Sequence, residues 1–288
     1  MLENAKDVSF EYIIVNDGST DSTAQIIEEY KEHCRIILQN NSGESSAVNR
    51  GIKESSGRYL LVVSADDPLL SPRLFSIAKE TLESNVETVC VYPDWNRIDS
   101  NSKLIRQELT REFSLETLLC DGICIPGPGA FFRAEIAKII GGRKLQWKYV
   151  GDYDFWLRLS VYGKFQRIPQ FLAQWREHPE STSLKMRGKA MALERIGVIE
   201  EYLESNSLDR QKSRRARSTA YYQASLLSYF SKEVPGRKYM FVSLFHSRFQ
   251  SIKFTLPELL FISGLPLTRF LWNLKFLLKI RKYFESNR

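Results

Sequence analysis

Residues 10–23, FEYIIVNDGSTDST, decide the fold. Phe10–Val15 is a short apolar, β-branched run that stops at the turn signal Asn16-Asp17-Gly18. Ser22–His33 then reads as a helix, with Ile26, Ile27 and Tyr30 on one face. The alternation continues downstream. Arg35–Gln39 (RIILQ), Tyr59–Ser64 (YLLVVS) and Thr88–Tyr92 (TVCVY) read as strands, with helices expected over Glu44–Glu54 and Pro72–Leu82. Strands recurring about every 25 residues with helical patterns between them are the mark of βα units in a mostly parallel α/β sheet. Such strands are buried on both faces and read as unbroken apolar runs, as these do. Ligands of open sheets of this kind bind beyond the carboxyl ends of the strands. Asp17 closes the first strand and Asp66-Asp67 follows the third, so acidic groups gather at one sheet edge.

Composition narrows the class. The chain has 288 residues, 43% hydrophobic and 26% charged, which excludes disordered and fibrous proteins. The cysteines Cys34, Cys90, Cys120 and Cys124 are scattered, and Cys120-x3-Cys124 lacks a second ligand pair at zinc spacing. Reduced thiols in a cytoplasm are therefore expected rather than a disulfide framework. The start, MLENAKDVSF, has no apolar run of signal-peptide length. The longest uncharged stretch of the tail, Leu259–Thr268, is far short of the roughly 20 residues a spanning helix needs.

Charge divides the chain. Residues 185–288 hold 20 Lys and Arg against 8 Asp and Glu, whereas residues 1–184 hold 21 against 26. A boundary is expected near residue 184, separating an α/β domain (1–184) from a basic helical region (185–288) with helices near 185–204, 212–231 and 266–284. The last of these lies within Leu265–Phe284 (LPLTRFLWNLKFLLKIRKYF), which alternates apolar and basic residues at helical spacing. It reads either as a helix packed on the first domain or as an interfacial helix on an anionic bilayer. The basic cluster Lys212–Arg217 (KSRRAR) raises nucleic acid as a partner, but no recognisable nucleic-acid motif accompanies it and the front half is acidic, so none is expected.

Three segments can carry chemistry. The turn Asn16–Thr23 supplies helix-capping residues, and Asp17 can also accept hydrogen bonds from a ligand that Gly18 lets approach. In Ser64-Ala65-Asp66-Asp67-Pro68, adjacent carboxylates at a strand end raise each other's pKa, a conflict that Mg²⁺ or Mn²⁺ relieves. In Gly151-Asp152-Tyr153-Asp154-Phe155-Trp156-Leu157-Arg158-Leu159, an acidic residue caps the helix, and one of the two carboxylates can instead act as a general base.

In order and spacing these segments resemble the inverting glycosyltransferase family 2, whose fold is called GT-A. The matching stretches are FEYIIVNDGSTDST, NNSGESSAVNRGI, GRYLLVVSADD, GPGAFFRAEIAKIIGG and GDYDFWLRL, with RIPQFLAQWREHPESTS after them. The resemblance implies transfer of a sugar from a nucleotide-sugar donor to a glycan or lipid-linked acceptor, in cell-surface polysaccharide assembly on the inner face of the plasma membrane. It implies that Asp17 reads the base, with Gly18, Ser19, Asn49 and Asp66 beside the nucleotide. It further implies that Asp66, Asp67 and His178 hold the divalent metal (Mn²⁺ or Mg²⁺), and that Asp152 deprotonates the acceptor.

This chain departs from the pattern in three places. Ser64 stands where the family commonly has an Asp, and Val48 where it has an Arg. The family's opening strand and helix are not found ahead of Phe10, so the first domain is expected to be truncated at its start, or another segment fills the gap between the two exposed sheet edges; the alternative is a catalytically impaired relative that binds nucleotide-sugar or glycan.

Overall fold

The structure, a computed structural model, describes residues 8–178, 188–231 and 236–247. They form two compact units, residues 8–113 with 125–178, and residues 114–124 with 188–231 and 236–247. The boundary expected near residue 184 lies outside the described residues. That 114–124 joins the helical unit was not foreseen.

The first unit opens with β1 (Ile13–Asp17), α1 (Thr23–Glu28) and β2 (Arg35–Gln39), and the two strands pair in parallel from Ile13↔Arg35 to Asp17↔Gln39. Next come α2 (Glu44–Glu54), β3 (Tyr59–Leu61), α3 (Arg73–Ser84), β4 (Thr88–Ile98) and β5 (Leu104–Glu108). The unit closes with β6 (Phe131–Arg133), α4 (Ala134–Ile139), α5 (Gly151–Leu159) and β7 (Lys164–Arg176). The second sheet runs β3-β6-β4-β5, with β7 on the other side of β4. It is mixed rather than mostly parallel. Only β7 runs parallel to β4, because β5 returns through a tight hairpin and β6 enters from a loop, connections that suit antiparallel neighbours.

Two departures from the sequence reading bear on the site. β4 extends to Ile98 although DWNR looks too polar for an interior strand, and all eleven of its residues are buried. Their charges are matched in place. Arg167 donates to both Asp94 oxygens at 2.9 and 2.6 Å, and Arg97 Nη2 lies 2.8 Å from Glu108 Oε1. Burial would raise the Asp94 carboxyl, but the Arg167 and Thr110 hydrogen bonds hold it below the usual carboxylate range. Second, β1 and β3 both sit at sheet edges despite their apolar runs, so Tyr12, Val62 and Val63 remain exposed. α1 is likewise short and buries none of its residues.

The core lies between α3 and the second sheet. Leu74, Ala78 and Leu82, spaced four apart on one helix face, pack with Val91, Phe131, Ile168 and Leu172. On α5, Phe155 and Trp156 stand 5.1 and 5.7 Å from the Phe132 ring, edge to face. Burying each such aromatic stabilises by about 2–3 kcal/mol, which fixes α5 and the acidic residues of its first turn.

In the helical unit, α7 (Arg210–Ser231) packs against α6 (Gly188–Ser205) and α8 (Gly236–Ser247). Thr219 donates to the Cys120 carbonyl, and Gln223 Nε2 to that of Gly122 at 3.1 Å, which ties 114–124 to α7. The helix expected over 266–284 lies outside the described residues. No described helix is long and apolar enough to cross a membrane.

Candidate active site

β1 ends at Asp17, whose carboxylate anchors the start of α2. Oδ1 accepts from Gln39 Nε2 at 2.7 Å and from the Ser42 amide at 2.9 Å, and Oδ2 accepts from the Gly43 amide at 2.8 Å. Burial pushes its pKa up, but these three bonds outweigh that and hold it below the ordinary value. Gly18 has φ +73°, and a Cβ there would meet the Asn41 amide nitrogen at 2.6 Å, so the turn requires glycine. Ser19 donates its amide to Asn16 Oδ1 at 2.9 Å. A carboxylate offers about four acceptor positions, so Asp17 retains about one for a ligand. Nothing in the sequence pointed to Gln39 as its partner.

The loop after β3 carries the second acidic group. Asp66 Oδ2 lies 2.8 Å from His178 Nε2, which brings together residues 112 positions apart. Asp67 Oδ1 accepts the Arg176 amide at 2.8 Å. Its pKa is pushed up to about 6, first by burial and then by the neighbouring Asp66 charge, against the Arg176 hydrogen bond. The loop runs along β7, with Leu70 donating to the Leu172 carbonyl at 3.0 Å. β7 thereby sets where Asp66 meets His178. Among the described residues no three His, Cys, Asp or Glu side chains converge as a metal cage.

The third group is the first turn of α5. Asp154 is 4% exposed and takes Arg158 Nε at 2.8 Å and Nη2 at 2.6 Å. Arg158 also donates to the Ile140 and Gly142 carbonyls, which locks the α4–α5 loop to the helix. Asp152 is half-buried and accepts only its neighbour's amide, that of Tyr153 at 2.7 Å. Among the described residues no cation pairs with it. Of two acids separated by one residue, one is therefore spent on structure and the other is available for chemistry.

Asn49, expected beside the nucleotide, is committed elsewhere. Its amide donates to the Arg143 carbonyl and accepts the Arg143 amide, each at 2.7 Å, joining α2 to the α4–α5 loop. A Cβ on Gly151 would lie 2.8 Å from Ser45 Oγ, so the start of α5 abuts the start of α2. That contact brings Asp152 to the region where Asp17 holds Ser42 and Gly43.

Comparison with known proteins bears on the family and the fold. The sequence model of glycosyl transferase family 2 matches residues 1–140. Chondroitin synthase of Escherichia coli is 30% identical over 186 residues, 63% of this chain and 27% of that protein. Hyaluronan synthase of Pasteurella multocida is 27% identical over 237 residues, 77% of this chain and 24% of that protein. The chain thus spans about a quarter of the length of these curated relatives. Among solved structures, Staphylococcus aureus TarS 1–349 superposes with a TM-score of 0.59 at 18% identity, covering 80% of this chain and 68% of that one. The mannosyltransferase PcManGT of Pyrobaculum calidifontis gives 0.52 at 11% identity, covering 96% and 74%. These likenesses establish the α/β, GT-A type fold. Residues 1–140 of the chain are similar to glycosyl transferase family 2.

Proposed function

We propose that the chain is an inverting glycosyltransferase that moves a sugar from a nucleoside-diphosphate donor to a hydroxyl of a glycan or lipid-linked glycan, in the assembly of a cell-surface polysaccharide. The observation that carries this reading is the division of labour on α5, where Arg158 holds Asp154 while no cation pairs with Asp152 among the described residues. Asp152 takes the proton of the acceptor hydroxyl as its oxygen attacks the anomeric carbon. The nucleoside diphosphate leaves from the opposite face, so the configuration inverts. The residual acceptor position of Asp17 meets the donor's base, and the start of α2 orients the donor.

Asp66 and His178 fit a divalent cation, Mn²⁺ or Mg²⁺, of the kind bound by few protein groups together with substrate phosphates. Bound there, the cation neutralises the diphosphate leaving group. Support also comes from PcManGT, whose solved complex holds GDP-Man and Mn²⁺, and from relatives named as chondroitin and hyaluronan synthases.

The test is nucleoside-diphosphate release from UDP- and GDP-sugars, with donor binding followed by calorimetry. Release is expected with Mn²⁺ and should fall at least about a hundredfold when EDTA removes it. A second reading, a donor-binding protein without turnover, draws on the edges of β1 and β3 that no strand pairs among the described residues. Binding without release favours that reading, and absence of both contradicts the proposal. Attachment to the inner face of an anionic membrane through residues 265–284 belongs to the same reading and rests on sequence. The chain should float with anionic liposomes and lose that behaviour on removal of 265–288, and equal flotation would dismiss the attachment.

A further inference from the structure

We infer that Arg176 is a positioning residue that clasps the acidic loop to the β4–β5 turn and so sets the Asp66–His178 pair. Its amide binds Asp67 Oδ1 at 2.8 Å and its Nε binds the Asp66 carbonyl at 2.9 Å, so one residue holds both acids of the loop. Its Nη1 reaches the far side, to the Asp99 and Ser100 carbonyls at 3.0 and 3.3 Å and to Ser102 Oγ at 3.0 Å. These acceptors do not converge by default. Ser102 is the one non-glycine residue with positive φ (65°) among the described residues, a left-handed conformation that a serine adopts at some cost. In that conformation its hydroxyl faces the guanidinium. Asp99 secures the turn from within, its Oδ1 accepting the Asn101 and Lys103 amides at 2.9 Å each.

Position 176 is where such a clasp controls the pair. His178 follows two residues later, at the end of the strand that carries the loop. Glu177, between them, donates its amide to the Ile98 carbonyl at 2.8 Å, and its carboxylate lies 3.3 Å from Arg97 Nη1. The buried Arg97 is set in turn by Glu108 at 2.8 Å and by the Trp175 ring at 5.3 Å. Two arginines thus grip the end of β7, Arg97 through Glu177 and Arg176 through the loop. Only Arg176 touches the segment that bears Asp66. A planar fork that bonds in two directions is needed, which a lysine cannot supply.

The catalytic consequence rests on the function proposed above, whereas the clasp itself does not. Two measurements keep them apart, made on the full chain carrying Arg176→Gln, Arg176→Lys or Ser102→Ala. Hydrogen exchange reads the clasp alone. In Arg176→Gln, amides of 66–70 and 99–103 should exchange at least about tenfold faster, with those of β1 and β2 unchanged. Unchanged exchange in both segments overturns the inference. Mn²⁺ affinity, measured with the metal alone, and the split between kcat and donor KM read the consequence. Arg176→Gln should weaken Mn²⁺ binding about 10–100-fold, the usual effect of removing a group that orients a ligand. Arg176→Lys should not restore it, and Ser102→Ala, which keeps the fold, should show a smaller loss. Mn²⁺ affinity within twofold of wild type in a folded Arg176→Gln protein overturns the positioning role. If wild type binds neither Mn²⁺ nor donor, the proposed function fails, and the exchange result still decides the clasp.

Discussion

Asp152→Asn will lower kcat for sugar transfer by about 10²–10⁴-fold, the range over which a positioned general base acts, with donor binding preserved. Asparagine keeps the shape of the side chain and can still accept the Tyr153 amide, the one hydrogen bond that Asp152 makes among the described residues. Stability should therefore change by no more than about 0.5 kcal/mol, as at sites without buried partners. Steady-state kinetics beside calorimetric titration of the donor decides the matter. A variant that turns over at the wild-type rate removes Asp152 from the mechanism.

Asp154→Ala will behave in the opposite way, costing about 3–5 kcal/mol of stability, as expected when one member of a buried ion pair is deleted. The cost comes from Arg158, which is left largely buried with its charge unmatched while its remaining bonds hold the Ile140 and Gly142 carbonyls. Those carbonyls belong to the loop that grips Asn49, so the damage spreads toward α2. Urea denaturation measures it. Replacing both partners with apolar residues, Asp154→Leu with Arg158→Met, should recover most of the loss, since no charge is then stranded. A loss below about 1 kcal/mol for Asp154→Ala alone would mean that the pair is not the lock described above.

That these neighbours differ so sharply was not legible in GDYDFWLRL. Both acids occupy the first turn of a helix, where either is a good cap. What separates them is burial and the reach of Arg158, and neither is a property of spacing. The first half of the fold was more open to reading. β2 and α2 fall where their sequence pattern put them, β2 through its apolar, β-branched run although it lies in a two-stranded sheet, and α2 through its amphipathic periodicity. β4 was cut short at Tyr92 for a physical reason. Asp94 and Arg97 are polar, yet Arg167 and Glu108 neutralise them inside the sheet, and partners so distant in the chain leave no local signal. The partner of Asn49, Arg143, lies 94 residues away and likewise leaves no local signal. For Asp66 and His178, resemblance supplied a pairing that no local pattern could, and the structure sets them 2.8 Å apart.

The chain has three histidines, His33, His178 and His246, which makes the Asp66–His178 site directly observable. NMR of histidine-labelled protein, titrated with substoichiometric Mn²⁺ in the presence of a nucleoside diphosphate, reads the distance from the cation to each ring. The account predicts that the His178 signals broaden first and vanish while those of His33 and His246 persist. Broadening of all three together, or of none, would contradict it.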